Sequence, residues 1–143
     1  MIVASLLNTK GRDVFSITPD ASVTDAARYL RDKGIGAALE LDQAGAAAGV
    51  FSERDLVNAI ADQGNTALTL KVGDLMSRDV ISCTPTDPIP TVMATMTERR
   101  VRHLPVVDGG KVVGVVSIGD VVKSRIAEAE TEAEALKAYI ASG

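Results

Sequence analysis

Apolar positions along this chain switch between a strand rhythm and a helix rhythm. Val14-Phe15-Ser16-Ile17-Thr18 is a short β-branched and aromatic run stopped by Pro19, which predicts a strand. Behind the capping residue Ser22, Val23, Ala26, Ala27 and Leu30 fall on one helical face, and Gly34 closes that helix after Lys33. Ala37 to Leu41 predicts a second strand, Asp42-Gln43-Ala44-Gly45 a turn, and Ala46 to Phe51 a third strand. Ser52 then begins a second helix, with Leu56, Val57 and Ile60 on its inner face and Gly64 past its end.

The same order follows again. Val14-Phe15-Ser16-Ile17-Thr18-Pro19 recurs as Val80-Ile81-Ser82-Cys83-Thr84-Pro85, and Gly49-Val50-Phe51-Ser52-Glu53-Arg54-Asp55 recurs as Gly114-Val115-Val116-Ser117-Ile118-Gly119-Asp120. In the second copy Asp87-Pro88 predicts a capped helix start, and Ile89, Val92, Met93 and Met96 its buried face. Leu104-Pro105-Val106-Val107 predicts a strand, and Asp108-Gly109-Gly110 a tight hairpin turn. Each lobe thus reads as strand, helix, strand, strand, helix. Val72-Gly73-Asp74-Leu75-Met76 echoes Val3-Ala4-Ser5-Leu6-Leu7 as a lead-in turn to its copy. Two copies of a unit this long predict two facing lobes with clefts between them, not an open array.

Only the tail lies outside the repeat. Val122, Ile126, Ala129, Ala133, Leu136 and Ile140 are spaced 4, 3, 4, 3, 4, the rhythm of a helix that packs on another helix. That helix is either a lid over its own lobe or a seam between subunits.

Composition narrows the classes. With 143 residues and 46% apolar content the chain can bury a real core. A formal net charge of −4, aromatics at 3% and no Trp argue against a nucleic-acid partner, which needs clustered cations and stacking platforms. The one cysteine, Cys83, reads as a small apolar strand residue, and the sole histidine, His103, leaves no metal-ligand spacing and no catalytic triad to spare. No Walker loop or Gly-x-Gly-x-x-Gly fingerprint occurs, so no enzyme is expected. Ile2 to Leu7 is too short for a membrane span and lacks the flanks of a leader, which makes a soluble cytoplasmic protein, away from membranes, the expectation.

The candidate chemistry sits in the duplicated Ser-x-x-Asp. Ser52 with Asp55, and Ser117 with Asp120, hold the N-cap and third positions of predicted helices, where a capping box alone would account for them. Each start follows Gly-Val-x, a strand whose glycine is expected to expose backbone N–H groups and the positive helix end to a cleft that would attract phosphate. A carboxylate one turn in suits the hydroxyls of a ribose. Arginine fits phosphate in a bidentate way, and Arg102 with His103 precedes a buried strand beside the cleft, whereas Arg99 and Arg100 read as a solvated helix face.

Ile17-Thr18-Pro19 with Cys83-Thr84-Pro85, Gly49 to Asp55, Arg102 to Val106 and Gly114 to Val121 together resemble the cystathionine-β-synthase-type (CBS) domain family, and the likeness covers nearly the whole chain. That resemblance implies an α/β (α+β) fold of two βαββα domains related by a pseudo-two-fold axis: residues 1–66 (core 14–63) and residues 67–143 (core 80–128) with the C-terminal helix. It further implies an adenine nucleotide as ligand, AMP or NAD(H) first and ATP or ADP as alternatives, with no metal, in a homodimer. Asp120 and Asp55 would hold ribose; Ser117, Ser52, Arg54 and Arg102 would meet phosphate; Ser82, Thr84, His103 and Leu104 would lie against adenine, with Thr18, Ile118 and Gly119 alongside. Because Gly34-Ile35-Gly36-Ala37 carries no charge, one dominant nucleotide per chain is expected. Function then divides between a regulatory sensor acting on an effector protein and an interaction module whose clefts are vestigial.

Overall fold

The computed structural model describes residues 1–142. Its elements run α1 (Val3–Lys10), α2 (Val23–Lys33), β1 (Ala37–Leu41), β2 (Ala47–Ser52), α3 (Glu53–Gln63), α4 (Val72–Leu75), α5 (Ile89–Arg99), β3 (His103–Asp108), β4 (Lys111–Ser117) and α6 (Ile118–Ser142), with a 3-10 turn at Gly64–Thr69. Each lobe is a two-stranded antiparallel hairpin, β1 with β2 and β3 with β4, carrying one helix before it and one after it. Ser22 caps α2 by accepting the Asp25 N–H at 3.1 Å, and Gly34 ends it at φ 65°, a left-handed position that glycine adopts without penalty. Gly109 and Gly110 both carry positive φ, the geometry that a two-residue hairpin between right-twisted strands requires.

The predicted first strands are shorter than expected. They touch the hairpins at one residue each, Ser16 beside Leu39 and Cys83 beside Val106, both parallel. The chain leaves the sheet there because its next carbonyls are claimed elsewhere. Pro19 and Ala21 accept the N–H groups of Gly73 and Val72 at 2.9 Å, and Pro85 and Asp87 accept those of Ala4 and Val3 at 2.8 and 3.0 Å. Asp87, expected as a helix cap, instead closes its own turn by accepting the Thr84 N–H at 2.8 Å, and Pro88 holds the N-cap position of α5.

Those hydrogen bonds show a crossing of the lead-in helices. Val3, Leu6 and Leu7 of α1, which precedes lobe one in sequence, are buried with Cys83, Ile89, Val92, Met96, Leu104, Val106, Val116 and Val121 of lobe two. Val72 and Met76, which precede lobe two, are buried with Ala26, Leu30, Ala38 and Phe51 of lobe one. Neither lobe is a continuous stretch of chain, and a boundary at residue 66 separates each lead-in from the core that it fills.

The crossing also explains two repeated glycines. A Cβ on Gly114 would stand 2.9 Å from Leu7 Cδ2, and one on Gly49 would stand 2.9 Å from Met76 Sδ. These glycines make room for a side chain from the other half; they do not open backbone N–H groups to a cleft, as the sequence suggested. On the outer helices the expected inner faces are partly wrong. Ala59 is buried in α3, whereas Val57 and Ile60 are 62% and 44% exposed. In α6 Val121 and Ser124 are buried, but Val122, Ile126, Leu136 and Ile140 are exposed, so the tail is no lid over its lobe.

Leu7 is clamped at 1% exposure, while the end of Met76 is a flexible thioether. Gly114→Ala is therefore expected to destabilise by about 1–3 kcal/mol through overpacking. Gly49→Ala is expected to stay near neutral, since the thioether can swing aside and a strand alanine recovers about 0.5–1 kcal/mol of glycine's entropy cost. Urea melts of the two variants measure the difference.

Candidate functional site

Two clefts open between the lobes, and both are built crosswise. Cleft one joins the start of α3, with Ser52, Arg54 and Asp55, to the segment Arg100-Val101-Arg102-His103 of lobe two, closed by Ser77, Asp79 and Ile81. Cleft two joins the start of α6, with Ser117 and Asp120, to Gly34-Ile35-Gly36-Ala37 of lobe one, closed by Lys10, Asp13 and Phe15. Their volumes are about 180 and 300 Å³. Gly36 and His103 line both clefts.

At each helix start the expected capping box is present. Asp55 Oδ2 accepts the Ser52 N–H at 2.9 Å and the Ser52 hydroxyl at 3.1 Å, while Ser52 Oγ accepts the Asp55 N–H at 3.3 Å. Asp120 Oδ2 accepts the Ser117 N–H and hydroxyl, both at 2.9 Å, and Ser117 Oγ accepts the Asp120 N–H at 3.2 Å. Such a box contributes about 0.5–2 kcal/mol to the helix it starts. It consumes one oxygen. Oδ1 of each aspartate has no hydrogen-bond partner among the described residues, and each residue lines a cleft.

The two acids differ in one partner. Lys10, at the end of α1, donates to Asp120 Oδ2 at 2.5 Å and to the Val115 carbonyl at 2.7 Å. Burial raises the Asp120 pKa, but the Lys10 and Ser117 hydrogen bonds outweigh it and hold the group below its ordinary 3.8. Sequence reasoning missed Lys10, because only the crossing of α1 brings it to lobe two.

Among the predicted site residues, Ser52, Arg54, Asp55, Arg102 and His103 gather in cleft one, and Ser117, Asp120 and His103 in cleft two. Arg102 therefore shares a cleft with Asp55, not with Asp120 of its own copy. Leu104 is fully buried in the core of lobe two and cannot face a ligand. Thr18, Ser82, Thr84, Ile118 and Gly119 line neither cleft. Thr84 belongs to the turn that receives α1, so its structural duty is plain. Arg100, read from sequence as a solvated residue, lines cleft one and takes φ 54°, the one non-glycine residue with positive φ among those described. A left-handed side chain costs roughly 1–2 kcal/mol.

His103 lies over the backbone of Gly36, where an added Cβ would meet its Cε1 and Nε2 at 3.0 Å. The uncharged Gly34-Ile35-Gly36-Ala37 thus serves to seat an imidazole from the opposite lobe. Cys83 is buried, and burial, with the charge of Asp87 beside it, pushes its thiol up to about 12, in keeping with a packing role. Among the described residues no group of three or more His, Cys, Asp and Glu side chains forms a metal site, and no helix is long and apolar enough to cross a membrane.

The CBS domain family matches residues 4–62 and 72–127. The chain belongs to the CBS domain family. The mitochondrial CBS domain-containing protein CBSX3 of Arabidopsis thaliana is 33% identical over 149 aligned positions, 99% of this chain and 72% of its own length. The solved CBS-domain containing protein ATU1752 of Agrobacterium tumefaciens is 42% identical with a TM-score of 0.84, covering 87% of this chain and 99% of its own, so that relative is a CBS pair without a catalytic domain. The CBS domain pair of protein MJ0100, solved with 5′-methylthioadenosine and S-adenosyl-L-methionine, has a TM-score of 0.78 at 22% identity, covering 90% of this chain and 98% of its own. At that identity the likeness is one of fold. A hexameric CBS-CP12 protein from bloom-forming cyanobacteria, with a TM-score of 0.75 at 20% identity over 97% of this chain and 87% of its own, shows that CBS proteins can oligomerise.

The His103 surroundings generate a pH dependence. Burial lowers its pKa most, Glu53 and Asp120 pull it up, and Lys10 and Arg102 press it down, with a net fall from 6.5. The folded state thus binds fewer protons than the unfolded chain below that value, and stability drops as pH falls through 6.5 toward the lowered pKa. Melting temperatures of the native protein and His103→Gln should diverge in this range, with only the native protein losing stability from this source. The Asp120 contribution is lost only below its ordinary 3.8, outside that range.

Proposed function

We propose that this CBS pair is a sensor with no catalysis of its own. It takes an adenosyl ligand, AMP or a larger adenine nucleotide such as NAD(H), in the clefts between its lobes, and passes a change of shape or rigidity to an effector protein. The observation that carries this reading is the division of labour within each aspartate. Oδ2 holds the helix start, and Oδ1, with no hydrogen-bond partner among the described residues, is left to accept from the hydroxyls of a ribose in the cleft that its residue lines. The adenosyl compounds held by the MJ0100 pair support the ligand class. Control of a partner then requires only that the partner prefer one state of the pair.

The same reading includes a homodimer. The outer helices present exposed apolar side chains at equivalent places, Val57 on α3 and Val122 on α6, extended by Ile60, Ile118 and Ile126. A second copy brings the same pair of stripes, as an isologous interface demands, and neither stripe is covered within one chain.

Saturation with AMP at about 100 times the dissociation constant should add about 2.7 kcal/mol, a rise of several degrees for a domain of this size. Asn at position 55 or 120 keeps one acceptor oxygen, which can serve the cap or the ribose but not both. Asp55→Asn and Asp120→Asn should each weaken their own cleft by about tenfold to a hundredfold, read by isothermal titration. No thermal shift with AMP or NADH, and no adenosyl compound released from the denatured protein in mass spectrometry, would favour the interaction-module reading instead. Val122→Glu should convert dimers to monomers in sedimentation velocity.

A further inference from the structure

The repeat supplies its own control, because every position on one cleft has a counterpart on the other. Three arginines line cleft one: Arg54, Arg100 and Arg102. Their counterparts in the other copy are Gly119, Gly34 and Gly36. Among the described residues none of the three guanidiniums has a salt bridge or a side-chain hydrogen bond, although Arg28, Arg31, Arg78, Arg99 and Arg125 all do. Arg100 also keeps the left-handed conformation that Gly34 takes at the same place. Glu53, Asp55 and Asp79 line the same cleft, but none of them pairs with Arg54, Arg100 or Arg102. Three unpaired cations, one of them held in a backbone state that favours glycine, suit a multiply charged anion.

Cleft two has no unpaired lysine or arginine on its walls. Its one lining cation, Lys10, is already committed to Asp120 and to the Val115 carbonyl, and Asp13 adds a negative charge. His103, shared with cleft one, is held toward its neutral form by burial. A phosphate entering there would meet carboxylates and no free cation.

We propose that the two clefts sort adenosyl ligands by charge, cleft one taking a phosphate-bearing nucleotide on Arg54, Arg100 and Arg102, and cleft two taking a phosphate-free nucleoside on Asp120. This rests on the adenosyl reading given above. It differs from a single dominant site, since both clefts are used and each by a different chemical class.

Isothermal titration with AMP and with 5′-methylthioadenosine, on the intact native chain and two variants, tests it. Arg100→Gly should lower AMP affinity about tenfold or more, the loss expected for one charge-assisted contact. It should leave 5′-methylthioadenosine unchanged and keep or raise the melting temperature, because glycine relieves the left-handed residue. A residue with only a structural role would not move stability and binding in opposite directions. Asp120→Asn should weaken 5′-methylthioadenosine and spare AMP, and added salt should weaken AMP alone. Competition of the two ligands for one site, or unchanged AMP binding in Arg100→Gly, would overturn the sorting while leaving the adenosyl reading in place. Binding of neither ligand would overturn both.

Discussion

The exchange of lead-in helices is the constraint on which everything else rests. Val3 and Leu7 of α1 are sealed in lobe two, and Val72 of α4 is sealed in lobe one, each at 1% exposure or less. Full burial of an aliphatic side chain contributes about 1.5–3 kcal/mol, so neither lobe can dispense with the segment lent by the other half. The lobes are consequently held face to face by covalent chain and by core packing at once. Clefts formed between such lobes must be composite. That is why Asp55 shares a cleft with the arginines of copy two, and why Lys10 reaches Asp120.

Within that frame the helix starts serve two masters at little cost. A carboxylate has about four lone-pair sites, and a capping box uses those on one oxygen. The remaining oxygen of each aspartate is left without a partner among the described residues, at no cost to the helix. Glu53 N–H bonds to the Gly36 carbonyl at 2.9 Å and Ile118 N–H to the Arg102 carbonyl at 2.8 Å, so each helix start is also tied to the residue that leads into the first strand of its own hairpin. The acid is thereby fixed relative to the segment that walls the opposite side of the other cleft. Position, not flexibility, is what the arrangement provides.

Most local structure was legible in the sequence because its causes are local. The hairpins, the α2 face ending at Gly34, and the Ser-x-x-Asp boxes all follow from periodicity, turn residues and caps within a few positions. What was illegible depends on contacts between halves. Gly49 and Gly114 read as exposing backbone, since nothing nearby in sequence reveals Met76 or Leu7 standing over them. Gly36 read as an uncharged gap, although it seats His103. Arg102 read as a phosphate contact with no acid named as its neighbour, because periodicity does not disclose a crossing. Arg100 was read as solvated, for a left-handed turn at a non-glycine residue leaves no mark in the sequence. The exposed faces of α3 and α6 misled for a related reason: a helix pattern tells which residues are apolar, not whether their cover comes from the same chain.

The two copies obey the same folding rules nearly everywhere, and the places where they part are informative. Glycine at a helix C-cap, as at Gly34, takes the left-handed conformation without penalty; arginine at the equivalent position 100 does not, although its N–H still reaches the Met96 carbonyl. A lysine beside Asp120 satisfies its charge, whereas the guanidiniums of cleft one have no salt bridge among the described residues. The left-handed arginine costs roughly 1–2 kcal/mol. Sequences are otherwise locally consistent, so concentrated violations mark a site where something other than folding is being served. All of them fall on the rim of a single cleft, in the copy-two segment and helix start that face each other across it. An independent cause would have scattered them over both clefts.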